Sequence, residues 1–182
     1  MNDEIFADEK DEGRLMNAFL LILALSDPAS CPMHAQHMKD APASQQAHHA
    51  SVDQRGDRVM GFSHEKTKHT FRLLEDGGAV EVRANDSADG ESIAAIREHL
   101  KVIAEEFAKG DFAKPREIHG RVPDGAEVMK ELGPAVTYRY EEVERGARVR
   151  ISTRDARGIQ AVHAFLKFQI EDHHTGDPEK IE

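Results

Sequence analysis

The chain has 182 residues and a formal net charge of −10. That balance excludes non-specific binding to nucleic acid or to an anionic membrane surface, both of which need clustered Lys and Arg. A single cysteine excludes an intrachain disulfide framework and a Cys-rich zinc module, and the length leaves room for one domain plus tails.

Residues 1–15 are acidic, carry no apolar periodicity and are predicted to be a disordered leader. Segment 16–30 holds the apolar run Ala18–Leu25, far shorter than the ~20 residues a transmembrane helix needs, so no integral membrane span is expected. The run fits the core of a secretory signal, with Pro28-Ala29-Ser30 as its small-residue exit. The expected location is periplasmic or otherwise exported; the alternative, a short amphipathic helix on a cytoplasmic protein, is open. Residues 31–58 are rich in Ala, Ser, Gln, His, Pro and Asp and are predicted to be a flexible arm. The folded domain is predicted over 59–177, with 178–182 as a tail.

Inside that domain the pattern repeats. His69–Glu75 and Ala79–Arg83 alternate apolar and polar residues around Asp76-Gly77-Gly78, and Val136–Glu142 and Ala147–Ile151 do the same around Arg145-Gly146. Alternation on either side of a Gly-containing turn signals a hairpin. A helix follows each: about Glu91–Lys109, with the stripe Ile93, Ile96, Leu100, Ile103 and Phe107, and about Asp155–Asp172, with Ile159, Val162, Leu166 and Ile170. A short helix near Ala126–Leu132 joins the units. The predicted fold class is α+β: two ββα repeats forming a four-stranded, mainly antiparallel sheet with both long helices on one face.

Eleven histidines are the chemical signal. Period-two alternation puts His69 on the face of Phe71 and Leu73, helical spacing puts His163 in the stripe of Val162 and Leu166, and His99 sits at the edge of the stripe of Ile96 and Ile103. These three imidazoles are expected to meet between sheet and helices as a metal site, with Asp172 or Glu98 orienting a ring and with His119 and His64 within reach from loops. The alternative for each ring is a hydrogen-bonded core histidine. His173 and His174 follow the second helix, where cations complement its C-terminus. Upstream, Cys31, Met33, His34, His37 and Met38 form a soft donor set that suits copper, with zinc next.

No glycine-rich phosphate loop, HExxH or GxSxG is present, and His64 and His69 are five apart, too far for one zincin-type helix turn. Ser152-Thr153-Arg154 is similar to the carbamoyl-phosphate-binding Ser-Thr-Arg of transcarbamoylases. Asp155 stands where that family has Thr, and the chain is too short for two α/β domains, so a strand end plus helix cap is expected.

Two longer stretches, Met60-Gly61-Phe62 through Lys66-Thr67 and His69 to Phe71, and Phe165-Leu166 through Phe168-Gln169-Ile170, Asp172-His173 and Thr175-Gly176-Asp177, match MGFxxxKTxHxF and FLxFQIxDHxTGD. On these the chain resembles a poorly characterised family of small bacterial proteins, some of them labelled transcarbamoylase, over about residues 52–177. The resemblance implies a shared fold and marks His69, His99, His119, His163 and His173 as matched positions. It implies no activity.

The expected function is that of an exported metal- or haem-binding protein, copper or zinc favoured, with an internal histidine site and a Cys/Met/His arm for capture. The alternatives are an enzyme on a small molecule with His99 or His163 as general base, and a cofactor-free binding module. The expected partner is the metal ion or haem, not nucleic acid; a homodimer is the remaining partner left open.

Overall fold

A computed structural model of the protein describes residues 43–182. The expected leader, the apolar segment and the donors Cys31, Met33, His34, His37 and Met38 lie outside the described residues.

Four strands, β1 (Thr67–Leu74), β2 (Gly77–Ala84), β3 (Val136–Val143) and β4 (Gly146–Thr153), form one antiparallel sheet in the order β1-β2-β4-β3. The hairpins join through β2 and β4, where Val80 lies opposite Val149. Phe71 opposite Val80, and Tyr140 opposite Val149, complete one transverse row. Paired residues of an antiparallel ladder share a face, so His69, Phe71, Leu73, Val82, Val149 and Ile151 all point to one side.

Among the described residues five α-helices accompany the sheet: α1 (Ala43–Met60), α2 (Gly90–Ala108), α3 (Ala113–His119), α4 (Ala126–Leu132) and α5 (Ala156–Asp172). Asp89 caps α2 by accepting from Ser92 N at 3.0 Å, and Asp155 caps α5 by accepting from Arg157 N at 2.7 Å and Gly158 N at 3.1 Å. The expected strand end plus helix cap at 152–155 is thus what the chain forms. Helix α2 covers β3 and β4, whereas α5 covers β1 and β2. Each long helix therefore packs on the hairpin of the other repeat, which locks the two units together through their cores. Gly78 makes the seat for α5: a Cβ there would lie 2.1 Å from Leu166 Cδ1 and 2.5 Å from the Arg72 carbonyl oxygen. Phe107, Phe112 and Phe165 fill part of the seam between α2 and α5, with Phe107 and Phe112 stacked at 4.5 Å. Of the expected stripes, Ile159 is only half-buried and Phe165, absent from the stripe, is buried.

Three boundaries differ from expectation. Residues 43–58, assigned to a flexible arm, belong to helix α1. The helix is anchored by Val52, Gly56 and Met60, all buried and four apart, so they fall on one helical face; Arg55 Nε also donates to the Ile118 carbonyl at 2.6 Å. Helix α3 was not expected. Its Pro115 sits in the first turn, where a missing N–H costs nothing, and Gly120 at φ 70° ends it. The tail beyond 177 docks on β1: Ile181 bridges to Leu73, and Glu182 N donates to the Leu73 carbonyl at 2.9 Å. No helix among the described residues is long and apolar enough to cross a membrane.

Candidate functional site

Where the seam between α2 and α5 widens over β1 and β2, a cavity of about 60 Å³ opens. Its walls are apolar: Phe71, Val80 and Val82 from the sheet, Leu100, Ile103 and Phe107 from α2, Phe165 from α5, and Met60 and Pro115 from α1 and α3. Its polar groups are His69 of β1, His99 of α2, His119 of α3, and Gln169 and His173 at the end of α5. The segments 60–71 and 165–177 meet here, one through Met60, His69 and Phe71 and the other through Phe165, Gln169 and His173.

The rings pack directly on one another. His69 and His173 stack with centroids 5.2 Å apart and planes 6° from parallel. His173 meets His119 edge-on at 4.9 Å and lies 5.8 Å from Phe71. Phe62 bridges His69 (6.1 Å) and His99 (5.7 Å). None of His69, His99 and His173 makes a side-chain hydrogen bond to another described residue. Burial in these apolar walls lowers the pKa of His69 and His99 to about 4, and neighbouring imidazoles add to the shift. Burial likewise holds His173 well below the usual histidine range, although the Asp172 carboxylate pulls the other way. At neutral pH these rings are uncharged, each with one open lone pair and one N–H. His173, the C-terminal cap of α5, therefore does not supply the cation expected there, because burial favours its neutral form.

His119 plays a different part. It is 3% exposed. Its Nδ1 donates to Asp172, which also accepts from His48 Nε2 at 2.9 Å. These two contacts hold the Asp172 carboxyl far below the usual carboxylate range despite its burial. The Gln169 amide lies 3.0 Å from His119 Nε2, and its own nitrogen is buried without a partner. Turning that amide so that its NH2 donates to Nε2 gives the ring nitrogen a donor. His119 is thus engaged on both sides and acts as a strut between α3 and α5, with His48 of α1 fastened to the same carboxylate.

The expected trio does not assemble. His163 points away from the cavity and its Nε2 donates to the Leu74 carbonyl at 2.9 Å, the hydrogen-bonded core role that was its alternative. That bond also removes His163 as a groove base. His69 and His99 do line one cavity, and His173 takes the third place. Sequence spacing underrates His173 because it follows the helix and carries no periodic signal. Its neighbour Asp172, seven residues beyond Phe165 and so on the same helical face, was the available clue. Among the described residues, no group of three or more His, Cys, Asp or Glu side chains is posed to hold a metal ion. His64 lies outside the cavity and pairs with Asp57 at 2.9 Å.

No protein-family model matches the chain, and no curated protein and no solved structure is similar to it.

Proposed function

We propose that the protein binds a small, uncharged molecule bearing a hydrogen-bond donor or a weakly acidic proton, with the pocket imidazoles as acceptor. The observation that carries this reading is the open, neutral state of His69, His99 and His173 around one apolar cavity. A volume of about 60 Å³ exceeds the ~10–15 Å³ a single water needs and falls well short of the ~300–1,000 Å³ of pockets that hold drug-sized ligands. The ligand has few heavy atoms, and a porphyrin does not fit. No Lys or Arg lines the cavity, so an anion entering it would lose its hydration without compensation. If the bound group is acidic enough, a ring takes its proton.

The test follows histidine side-chain resonances by NMR while small alcohols, enolisable carbonyls and short carboxylates are titrated in. Neutral donors shift His69, His99 and His173 in the wild type and not in Leu100→Phe, which narrows the cavity; carboxylates shift none. If no donor moves these resonances, or carboxylates move them best, the reading is wrong.

A second reading keeps a soft metal ion as the ligand. It is favoured by the same open ring nitrogens together with Met60 on the cavity wall, a donor set that suits copper(I), with zinc next. It requires the side chains to turn, since they are not posed around an ion as they stand. Export, and capture by Cys31, Met33, His34, His37 and Met38, belong to this reading. Titration of tag-free protein with zinc or copper(I) decides it: near-stoichiometric uptake that His173→Ala removes supports the metal, and uptake unchanged by that substitution refutes it.

A further inference from the structure

The two edges of the sheet are treated differently. The β1 edge is covered by the chain's own C-terminal segment: Phe71 N donates to Asp177 Oδ2 at 2.8 Å, and Ile181 and Glu182 engage Leu73. The β3 edge carries no such cover among the described residues, although it is eight residues long and regularly paired to β4 along its whole length. A long open edge presents a row of unpaired backbone N–H and C=O groups, which is a template for another strand.

We propose that this edge pairs with the same edge of a second copy, β3 against β3 in antiparallel register about a two-fold axis through Tyr140. The choice of partner and register comes from charge. On the face of the sheet away from the helices, β3 carries Thr137, Arg139, Glu141 and Val143 in alternation, with Arg139 71% and Glu141 22% exposed at the side chain. A two-fold axis normal to the sheet keeps paired residues on one face. Centred on Tyr140, Arg139 of each copy faces Glu141 of the other, and Thr137 faces Val143. Centred on Arg139 the arginines meet, and centred on Glu141 the carboxylates meet. Centred on Tyr138, Arg139 falls opposite Thr137 and Glu141 opposite Ala135, so neither charge gains a partner. Opposite charges directly across a strand pair stabilise it and like charges oppose it, so one register of the four is favoured.

The pairing continues the sheet from one copy into the next with α2 and α5 of both on the same side. Within one copy Arg139 Nη2 lies 2.5 Å from Glu141 Oε1, and Glu141 also receives Arg148 Nε at 3.0 Å. Glu141 thus stays held by Arg148 while Arg139, the most exposed of these groups, is free to swing across. The proposal does not depend on what the histidine cavity binds.

The experiment is sedimentation equilibrium over a concentration series on the full chain. The wild type self-associates to a dimer. Arg139→Glu and Glu141→Arg each place like charges twice across the axis and weaken dimerisation by about tenfold or more. Mixing the two variants in equal amounts restores the dimer, because the doubly acidic edge of the first then faces the doubly basic edge of the second. Circular dichroism confirms that each variant is folded. Should one fail to fold, amide exchange on the wild type serves instead: β3 amides slow as concentration rises, while those of α2 do not change. A wild type that stays monomeric, single variants that dimerise as well as the wild type, a mixture that does not recover, or β3 exchange independent of concentration would each overturn the proposal.

Discussion

Acidification from pH 7 to pH 5 should weaken the fold through its cavity histidines, by an amount that follows from their burial. In the unfolded chain a histidine titrates near 6.5. In the fold His69 and His99 titrate at about 4. Between those values the unfolded state binds more protons than the folded one, so stability falls as pH drops from about 6.5 and levels off below about 4. Over the pH 7 to 5 interval each ring accounts for about 2 kcal/mol, an upper figure because the cavity admits some solvent to the rings. His173 acts in the same direction. His64, raised by its Asp57 and Asp53 neighbours, acts in the opposite one, since a raised pKa adds stability as pH falls below it. Asp172 is neutral to the comparison: its lowered pKa keeps its contribution intact until pH falls below the ordinary carboxylate range. The two rings together give an upper figure of about 4 kcal/mol, which corresponds to a urea midpoint up to about 2 M lower at pH 5 than at pH 7. His99→Leu should remove one ring's share, leaving a shallower pH dependence. Equal pH dependence in the variant and the wild type, or a flat profile in both, would show that these rings are not held neutral by burial.

Other substitutions probe the frame around the cavity. Gly78→Ala should cost about 1–3 kcal/mol or more by urea denaturation, because its Cβ collides with both Leu166 and the Arg72 carbonyl. Removing the cap of α5 with Asp155→Ala should cost about 1 kcal/mol in the same assay, with little effect on the site at the helix's far end. His163→Ala should cost about 1 kcal/mol by losing its bond to Leu74. It should leave the ligand-induced shifts of His69, His99 and His173 unchanged, whereas His173→Ala should abolish them at His69.

The repeat was legible because its signals are local. The hairpins announce themselves by alternation and by glycine at the turns, and the long helices by caps at Asp89 and Asp155 and by apolar residues at helical spacing. Helix α1 was not legible in the same way: it buries only Val52, Gly56 and Met60 among Ala, Ser, Gln and His, too narrow a stripe to stand out from an unstructured segment. The site was half legible. The face of His69 follows from period two, and the edge position of His99 from period 3.6. Helical spacing alone does not tell which way a half-buried ring turns, and His163 turned to the Leu74 carbonyl at the end of β1. Nor does spacing show that α3 and α1 close the cavity, since His119 reaches Asp172 across 53 residues and His48 across 124.

Three imidazoles, His69, His99 and His173, stand uncharged in one apolar cavity, without a hydrogen-bond partner among the described residues. Imidazole 15N NMR of selectively labelled protein at pH 6 tests it directly. At that pH an ordinary histidine is mostly protonated. His69, His99 and His173 should show the separated nitrogen shifts of neutral rings, with one bare lone pair each. Protonated signals from these three, matching those of exposed histidines in the same spectrum, would contradict it.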